Sequence, residues 1–182
     1  LDTHDGIGVV DVRGLMSDAD IDRTKENLFG QGASAKRIYN TPTYNNLDIY
    51  QINCTYYSAL GNDDDAYILA RAIQLFAPGV PQVYYVGLLA GANDVELVEE
   101  TKIGRDINRH DYTLAEIERE VERPVVRRLL RLMEFRNNHP AFGSVDSPVE
   151  VETRDEARFT ILRRSGDAAA RLDVDLASRT FR

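Results

Sequence analysis

The sequence predicts an α/β fold in which residues 1–143 form the C-terminal part of a (β/α)8 TIM barrel and residues 144–182 begin a small antiparallel β domain. Two patterns lead to this prediction. A helical pattern at 63–76 is followed directly by the β-rich run 80–86, which lacks polar alternation, as expected for a parallel strand buried on both faces. From Val149 onward, apolar and polar residues alternate between turn signals, which is typical of antiparallel strands.

The first helix has recognisable signals at both ends. Ser17 is a typical N-cap, and the acids Asp18 and Asp20 favour the positive end of a helix dipole. Gly30 is a typical stop signal. We therefore predict a helix over residues 18–29.

A long irregular stretch follows this helix. Residues 31–46 are rich in Gly, Ser, Asn, Thr and Pro and have no clear period. Because a loop of this length in a compact domain is usually functional or mobile, we expect it to contribute to a binding site.

The later elements follow from the same kinds of signal. The acids at 63–65 are interpreted as a complement to the helix dipole, because consecutive carboxylates point in different directions and make a poor metal site. The remaining predicted helices cover 93–101, 113–122 and Pro124 to about His139, and the predicted strands of the last domain cover 149–153, 157–164 and 171–176.

Composition excludes several classes of partner. The net charge of −8 and the pI near 4.9 disfavour binding to nucleic acid or to an anionic membrane surface, because the field of the protein repels phosphate groups. No apolar run approaches the length of a membrane span.

The single cysteine, Cys54, cannot form an internal disulfide, and this favours a cytoplasmic location. We expect the Cys54 side chain to be a small buried residue of the core. No metal or cofactor is predicted. The chain begins without Met, and we expect it to be part of a longer protein.

The pair His4–Asp5, beside Gly6 and Gly8, is the strongest local signal for chemistry. A His–Asp pair at the end of a strand suits the binding of sugar hydroxyls, and the glycines allow close approach to the backbone. An alternative interpretation is a strand-terminal pair that only satisfies backbone groups.

Four segments of the sequence stand out in their order and spacing. They are HDGIGVVD from His4, NLDIYQIN from Asn46, PGVPQVYY from Pro78 and GRDINRH from Gly104. Together they resemble the sucrose phosphorylase family, which belongs to the α-amylase superfamily of glycoside hydrolases (glycoside hydrolase family 13). The resemblance covers about residues 1–143.

The resemblance implies a retaining double displacement on sucrose and inorganic phosphate that needs no cofactor. It also implies that the protein can form a homodimer. A carboxylate attacks the glucosyl carbon, fructose leaves with a proton from a carboxylic acid, and phosphate captures the glucosyl-enzyme as α-D-glucose 1-phosphate. The nucleophile and the acid/base of the family lie in segments that this sequence does not match. We therefore expect the chain alone to be inactive.

The resemblance also implies roles for individual residues. Asp5 corresponds to the carboxylate that stabilises the transition state, and His4 to a residue that hydrogen-bonds the same glucose. Arg105 corresponds to a contact of the glucose site near the nucleophile. An acceptor subsite is implied for the loop residues Leu47, Asp48, Tyr50 and Gln51.

Other functions remain open at this point. A phosphorylase for sucrose 6'-phosphate needs additional basic residues near the acceptor, and Lys36 and Arg37 are candidates. A related phosphorylase or hydrolase of the family and a catalytically inactive carbohydrate-binding relative are further alternatives. Arg105 has a simpler interpretation as a partner of a surface carboxylate, and Asp48 as a turn cap.

Overall fold

The computed structural model describes residues 2–9, 12, 14–33, 51–144 and 147–182. The chain divides into two compact units, each formed from two stretches of sequence. Unit 1 comprises Leu1–Asp63 and Val83–Glu118, and unit 2 comprises Asp64–Gln82 and Arg119–Arg182.

The described residues form a mixed α/β structure. The α-helices are α1 (Asp18–Gly30), α2 (Tyr56–Ala59), α3 (Asp64–Phe76), α4 (Tyr85–Leu88), α5 (Val95–Thr101), α6 (Leu114–Glu120) and α7 (Pro124–Asn138). Two 3₁₀ helices cover Gly104–Asn108 and Pro140–Phe142. The strands are β1 (Asp2–Thr3), β2 (Gly6–Gly8), β3 (Gln51–Ile52), β4 (Val149–Thr153), β5 (Arg158–Ser165), β6 (Ala168–Asp175) and β7 (Thr180–Phe181).

Unit 1 contains a small antiparallel sheet in the order β1-β2-β3. Strands β1 and β2 form a hairpin in which Thr3 pairs with Gly6, so His4 and Asp5 occupy the turn. Gly6 has a φ of +99°, and a Cβ atom there would lie 2.2 Å from the carbonyl oxygen of Ile52. Only glycine therefore allows the hairpin to approach β3 this closely.

The helix signals in the sequence are confirmed at their caps. The Ser17 hydroxyl accepts a hydrogen bond from the backbone N–H of Asp20 at the start of α1. Helix α3 begins at Asp64 with acids in its first turn, and α7 begins with Pro124 and ends at the cap residue His139. Cys54 is fully buried in the apolar cluster of unit 1, as expected.

The predicted strand at 80–86 is wrong. The structure has no regular strand there, and the second part of the run becomes helix α4, which starts at Tyr85. A buried parallel strand requires paired neighbours on both sides, and the described residues contain none that pairs with this run. Val80 is 76% exposed, so the apolar composition of this run does not reflect burial on both faces.

Unit 2 contains a four-stranded antiparallel sheet in the order β4-β5-β6-β7, which confirms the alternating pattern after Val149. Inward-facing residues of β5 and β6, including Ile161, Leu172 and Val174, form one core with apolar residues of α3. The rings of Phe76 and Phe142 meet edge to face at 5.1 Å in this core. The apolar stripe of α3 therefore packs against this sheet.

An arginine is buried at the C-terminal end of α3. Arg136, from α7, is 9% exposed and donates hydrogen bonds from Nε to the carbonyl of Leu75 at 2.9 Å and from Nη2 to that of Gly79 at 3.2 Å. Its guanidinium carbon lies 4.5 Å from the centre of the Phe142 ring. Burial, together with the nearby Arg163, lowers the pKa of Arg136. The side chain supplies donors to carbonyls that the helix leaves unpaired at its end.

None of the helices in the described part of the chain combines the length and the apolar character that a membrane span requires.

Replacing Arg136 with Met is expected to destabilise unit 2. The substitution keeps most of the apolar stem but leaves the carbonyls of Leu75 and Gly79 without their donor, so we expect the free energy of unfolding to fall by about 2–3 kcal/mol. Denaturant unfolding measures the change. Arg131→Met on the exposed side of the same helix is the control. Equal effects of the two substitutions would contradict the role of the buried hydrogen bonds.

Gly6→Ala is expected to disrupt the hairpin through backbone strain and through a steric clash. Gly14→Ala is the control that measures the strain alone. Both glycines have positive φ, but nothing lies within 4 Å of a Cβ atom at Gly14. The alanine at position 14 therefore reports backbone strain alone, of about 1–2 kcal/mol. The alanine at position 6 adds a collision with the Ile52 carbonyl, and thermal unfolding should show a clearly larger loss. If Gly6→Ala lowered the stability no more than Gly14→Ala, the close approach of the hairpin to β3 would not contribute to stability.

Candidate active site

The turn of the β1–β2 hairpin is held by side chains from elsewhere in unit 1. Three consecutive carbonyl oxygens accept hydrogen bonds from three different donors. Asn108 Nδ2 donates to Thr3 at 2.8 Å, Arg109 Nε donates to His4 at 2.8 Å, and Asn53 Nδ2 donates to Asp5 at 3.2 Å. The backbone of the turn is therefore fixed independently of the His4 and Asp5 side chains, which remain available for other contacts.

Three basic groups surround the Asp5 carboxylate. Its Oδ1 lies 3.3 Å from Nη1 of Arg105 and 3.2 Å from Nη2 of Arg109, and its Oδ2 lies 3.3 Å from Nε2 of His4. The Asp5 side chain is 30% exposed, so solvent reaches it. Two guanidinium groups beside one carboxylate give this part of an acidic chain a locally positive character.

The arginines retain capacity for a ligand. Each guanidinium has five N–H donors, whereas the contacts among the described residues engage one nitrogen of Arg105 and two of Arg109. Their side chains are 46% and 31% exposed. A sugar hydroxyl both donates and accepts hydrogen bonds. The Asp5 carboxylate can accept from it, and the remaining N–H groups of the arginines can donate to it. The fork of N–H groups also suits an oxyanion such as phosphate.

The donors for the hairpin come from one short segment. The 3₁₀ helix Gly104–Asn108 carries Arg105 and Asn108, and Arg109 is its cap residue. Asn108 is 1% exposed, and its Oδ1 has no hydrogen-bond partner in the described part of the chain. Because Ile107 and Asn108 are buried, the segment is anchored while the arginine side chains reach the surface.

A second cluster of titratable groups follows this segment. His110 Nδ1 lies 2.6 Å from Oδ2 of Asp94, and its Nε2 lies 3.6 Å from Oε1 of Glu116. The hydrogen bond with Asp94 raises the pKa of His110. The backbone and hydroxyl of Thr113 donate to Glu116 and hold the pKa of that carboxyl below its usual range.

The sequence-based site residues fall into two groups. The structure brings together Asp5, His4 and Arg105, and Gln51 lies half-buried in β3 opposite Gly8 of the hairpin. The remaining acceptor-loop residues, Leu47, Asp48 and Tyr50, lie outside the described residues, as do Lys36 and Arg37.

Sequence reasoning missed three contributors to this site. Arg109 contacts both His4 and Asp5, and Asn108 and Asn53 hold the turn. A signal was available for Arg109, because it lies four residues after Arg105 in the same recognised segment. No sequence signal linked Asn53 to Asp5. No group of three or more His, Cys, Asp and Glu side chains in the described ranges is arranged to hold a metal ion.

Comparison with known proteins gives a consistent result. No protein-family model matches the chain. It is 56% identical over 184 residues to a sucrose phosphorylase of Streptococcus mutans, with 100% of this chain and 38% of the relative covered. It is 47% identical over 188 residues to a glucosylglycerol phosphorylase of Marinobacter adhaerens, with 100% of this chain and 38% of that relative covered.

Sucrose 6F-phosphate phosphorylase is similar in both sequence and structure. The Thermoanaerobacterium thermosaccharolyticum protein is 49% identical over 179 residues, with 97% of this chain and 36% of the relative covered. The crystal structure of the enzyme from Thermoanaerobacter thermosaccharolyticum matches all of this chain and 36% of its own, with a TM-score of 0.89 and 44% identity. The chain therefore belongs to the family of sucrose phosphorylases and related glucoside phosphorylases, of whose length it spans a little over one third.

Proposed function

We propose that the protein containing this chain is a sucrose phosphorylase, which transfers glucose from sucrose to inorganic phosphate and yields α-D-glucose 1-phosphate and fructose. The observation that carries the proposal is the Asp5 carboxylate flanked by Arg105 and Arg109 in a chain 56% identical to a sucrose phosphorylase. Sucrose and α-D-glucose 1-phosphate both carry the glucosyl group in the α configuration, so the proposed reaction is a retaining double displacement through a glucosyl-enzyme.

In this proposal the hairpin serves the glucosyl subsite. The Asp5 carboxylate accepts hydrogen bonds from sugar hydroxyls and stabilises the positive charge that develops at the ring as each glycosidic bond breaks. His4, which is 67% exposed, donates to the same sugar. Arg105 and Arg109 hold the carboxylate in position, and their free donors attract phosphate toward the subsite.

The other catalytic groups are proposed to lie outside this chain. The nucleophile that attacks the anomeric carbon and the acid that protonates the departing fructose belong to family segments that this sequence does not match. The chain by itself is therefore proposed to be inactive. The acceptor subsite is assigned to the loop with Leu47, Asp48 and Tyr50, together with Gln51.

The architecture proposed for the whole protein follows the same relationship. Residues 1–143 are assigned to the C-terminal part of a (β/α)8 barrel and residues 144–182 to the start of a β domain, and the match to the solved phosphorylase supports this assignment. The lone Cys54 supports a cytoplasmic location.

Sucrose 6'-phosphate phosphorolysis is the second candidate. The 49% identity to a sucrose 6F-phosphate phosphorylase and the match to a solved structure of that enzyme favour it. The basic residues Lys36 and Arg37 are suited to binding a phosphate on the fructose. The two donors, compared at equal concentration, distinguish the candidates through the ratio of their kcat/KM values.

The first prediction concerns the reaction itself. The full-length protein, incubated with sucrose, should form glucose 1-phosphate only when inorganic phosphate is present, and free glucose should remain a minor product. An assay of both sugars with and without phosphate measures this. Glucose release that is independent of phosphate would indicate a hydrolase, and the absence of any product would indicate another donor or an inactive relative.

The second prediction concerns Asp5. Asp5→Asn preserves the size of the side chain but removes the negative charge, so kcat/KM for phosphorolysis should fall by about 10²–10³-fold or more. Steady-state kinetics of the full-length enzyme measures the change. Asp111→Asn, at an exposed carboxylate of the same unit, is the control and should leave the kinetics close to wild type. A small effect at Asp5 would contradict its role at the transition state.

A further inference from the structure

The segment that carries Arg105 and Arg109 is itself held at its end by His110. We propose that His110, clamped by Asp94, is a positioning residue that sets the placement of Arg109 on His4 and Asp5. This inference rests on the proposed function, because the site that it positions is the proposed glucosyl subsite.

Asp94 connects three parts of unit 1. Its Oδ2 lies 2.6 Å from Nδ1 of His110, and its Oδ1 accepts a hydrogen bond from the backbone N–H of Leu97 at the start of α5. Its own backbone N–H donates to the carbonyl of Ile107 at 2.8 Å. Both carboxylate oxygens are therefore engaged. The cap hydrogen bond at the start of α5 orients the carboxylate to which the His110 ring is attached.

His110 is also held on its remaining sides. Its Nε2 faces Glu116 at 3.6 Å, and Glu116 is fixed by the backbone and hydroxyl of Thr113. The ring lies 4.5 Å from that of Tyr112, centre to centre, and the Tyr85 hydroxyl donates to the His110 carbonyl at 2.9 Å. The side chain is 35% exposed, so it exchanges protons with solvent while its position remains restricted.

The clamp is adjacent in sequence to the contacts of the active site. The carbonyl of Ile107 accepts a hydrogen bond from Asp94, and the His110 ring is hydrogen-bonded to the carboxylate of the same aspartate. Between these two residues, Asn108 and Arg109 donate hydrogen bonds to the hairpin. Asn108 and Arg109 are thus enclosed between two attachments to the same aspartate. Arg109 and His110 share one planar peptide group, so a displacement of the His110 backbone shifts the point from which the Arg109 side chain extends to the hairpin.

The protonation state of His110 determines whether its ring is held by Asp94 alone or by both Asp94 and Glu116. The protonated ring donates to Asp94 and attracts Glu116, whereas the neutral ring has a single N–H. Asp94 and Glu116 face the ring, Tyr112 packs on it and Tyr85 donates to the backbone of the residue, while Arg109 and Asp111 flank it in sequence. Because the pKa of His110 is raised, the doubly held state is complete at low pH and is lost as the pH rises through that raised value.

The test is a double-substitution cycle in the full-length enzyme with His110→Phe and Arg109→Lys. Phenylalanine retains the packing on Tyr112 and removes both nitrogens, so we expect kcat/KM for phosphorolysis to fall on the order of 10-fold or more, mainly through kcat. If His110 acts through Arg109, the double variant should be no more than about twofold worse than Arg109→Lys alone. His139→Gln, a histidine substitution in unit 2, is the matched control and should change neither kcat nor KM.

A pH profile and a conservative variant exclude a purely structural role. Wild type should lose kcat/KM along an alkaline limb that His110→Phe lacks, and His110→Asn, whose amide nitrogen can take the place of Nδ1 and donate to Asp94, should recover part of the rate. Circular dichroism identifies variants that do not fold, and Asp94→Asn, which weakens the contact with His110 but can still cap α5, then replaces His110→Phe in the cycle.

The outcomes separate this inference from the proposed function. An active wild type in which the two substitutions multiply, or in which His110→Phe keeps the wild-type rate and the alkaline limb, would overturn the positioning role alone. A wild type without phosphate-dependent glucose 1-phosphate would instead overturn the proposed function and, with it, the basis of this inference.

Discussion

The ion pairs between Asp5 and the two arginines are the interaction on which the candidate site depends. The hairpin has only a two-residue turn, and its carbonyls need donors that its own short strands do not provide. Asn108 and Arg109 supply two of these donors from a segment more than one hundred residues away in sequence. Arg109 therefore holds the backbone of the turn through Nε and the Asp5 carboxylate through Nη2.

Charge and burial are arranged differently at this site and in unit 2. Around Asp5 the guanidinium groups are partly exposed, so their free donors can meet an incoming ligand. In unit 2 the Arg136 guanidinium is buried, and its donors are directed to backbone carbonyls. The same chemical group thus keeps solvent-accessible donors in one place and completes a helix end in the other, because accessibility to solvent decides which acceptors it meets.

The relatives of this chain include phosphorylases named for different substrates. This is consistent with the proposal that separate parts of the chain bind the glucosyl group and the acceptor. Relatives that act on different acceptors share 47–56% identity with this sequence. The proposed glucosyl subsite around Asp5 serves a sugar that is common to these reactions in the proposed mechanism. In the same proposal, acceptor choice lies with Leu47, Asp48, Tyr50 and Gln51, where a change of charge would alter which ligand is favoured.

Local patterns in the sequence determined much of this protein. The Ser17 cap, the acidic start of α3, the end of α7 at His139 and the antiparallel strands after Val149 all depend on near neighbours in the chain, and each is confirmed. The recognised segments also led to the prediction that Asp5 and Arg105 serve one glucose site, and the structure brings their side chains within 3.3 Å. These features are readable because a cap or an alternating pattern acts over only a few residues.

The tertiary structure decided what depends on distant partners. The run 80–86 has strand-like composition but no paired strand among the described residues, so composition alone misassigned it. The contact of Asn53 with Asp5 and the clamp of His110 by Asp94 join residues whose spacing carries no periodic signal. Pairing, burial and ion-pair geometry arise only when separate segments meet, and a linear pattern does not record those meetings.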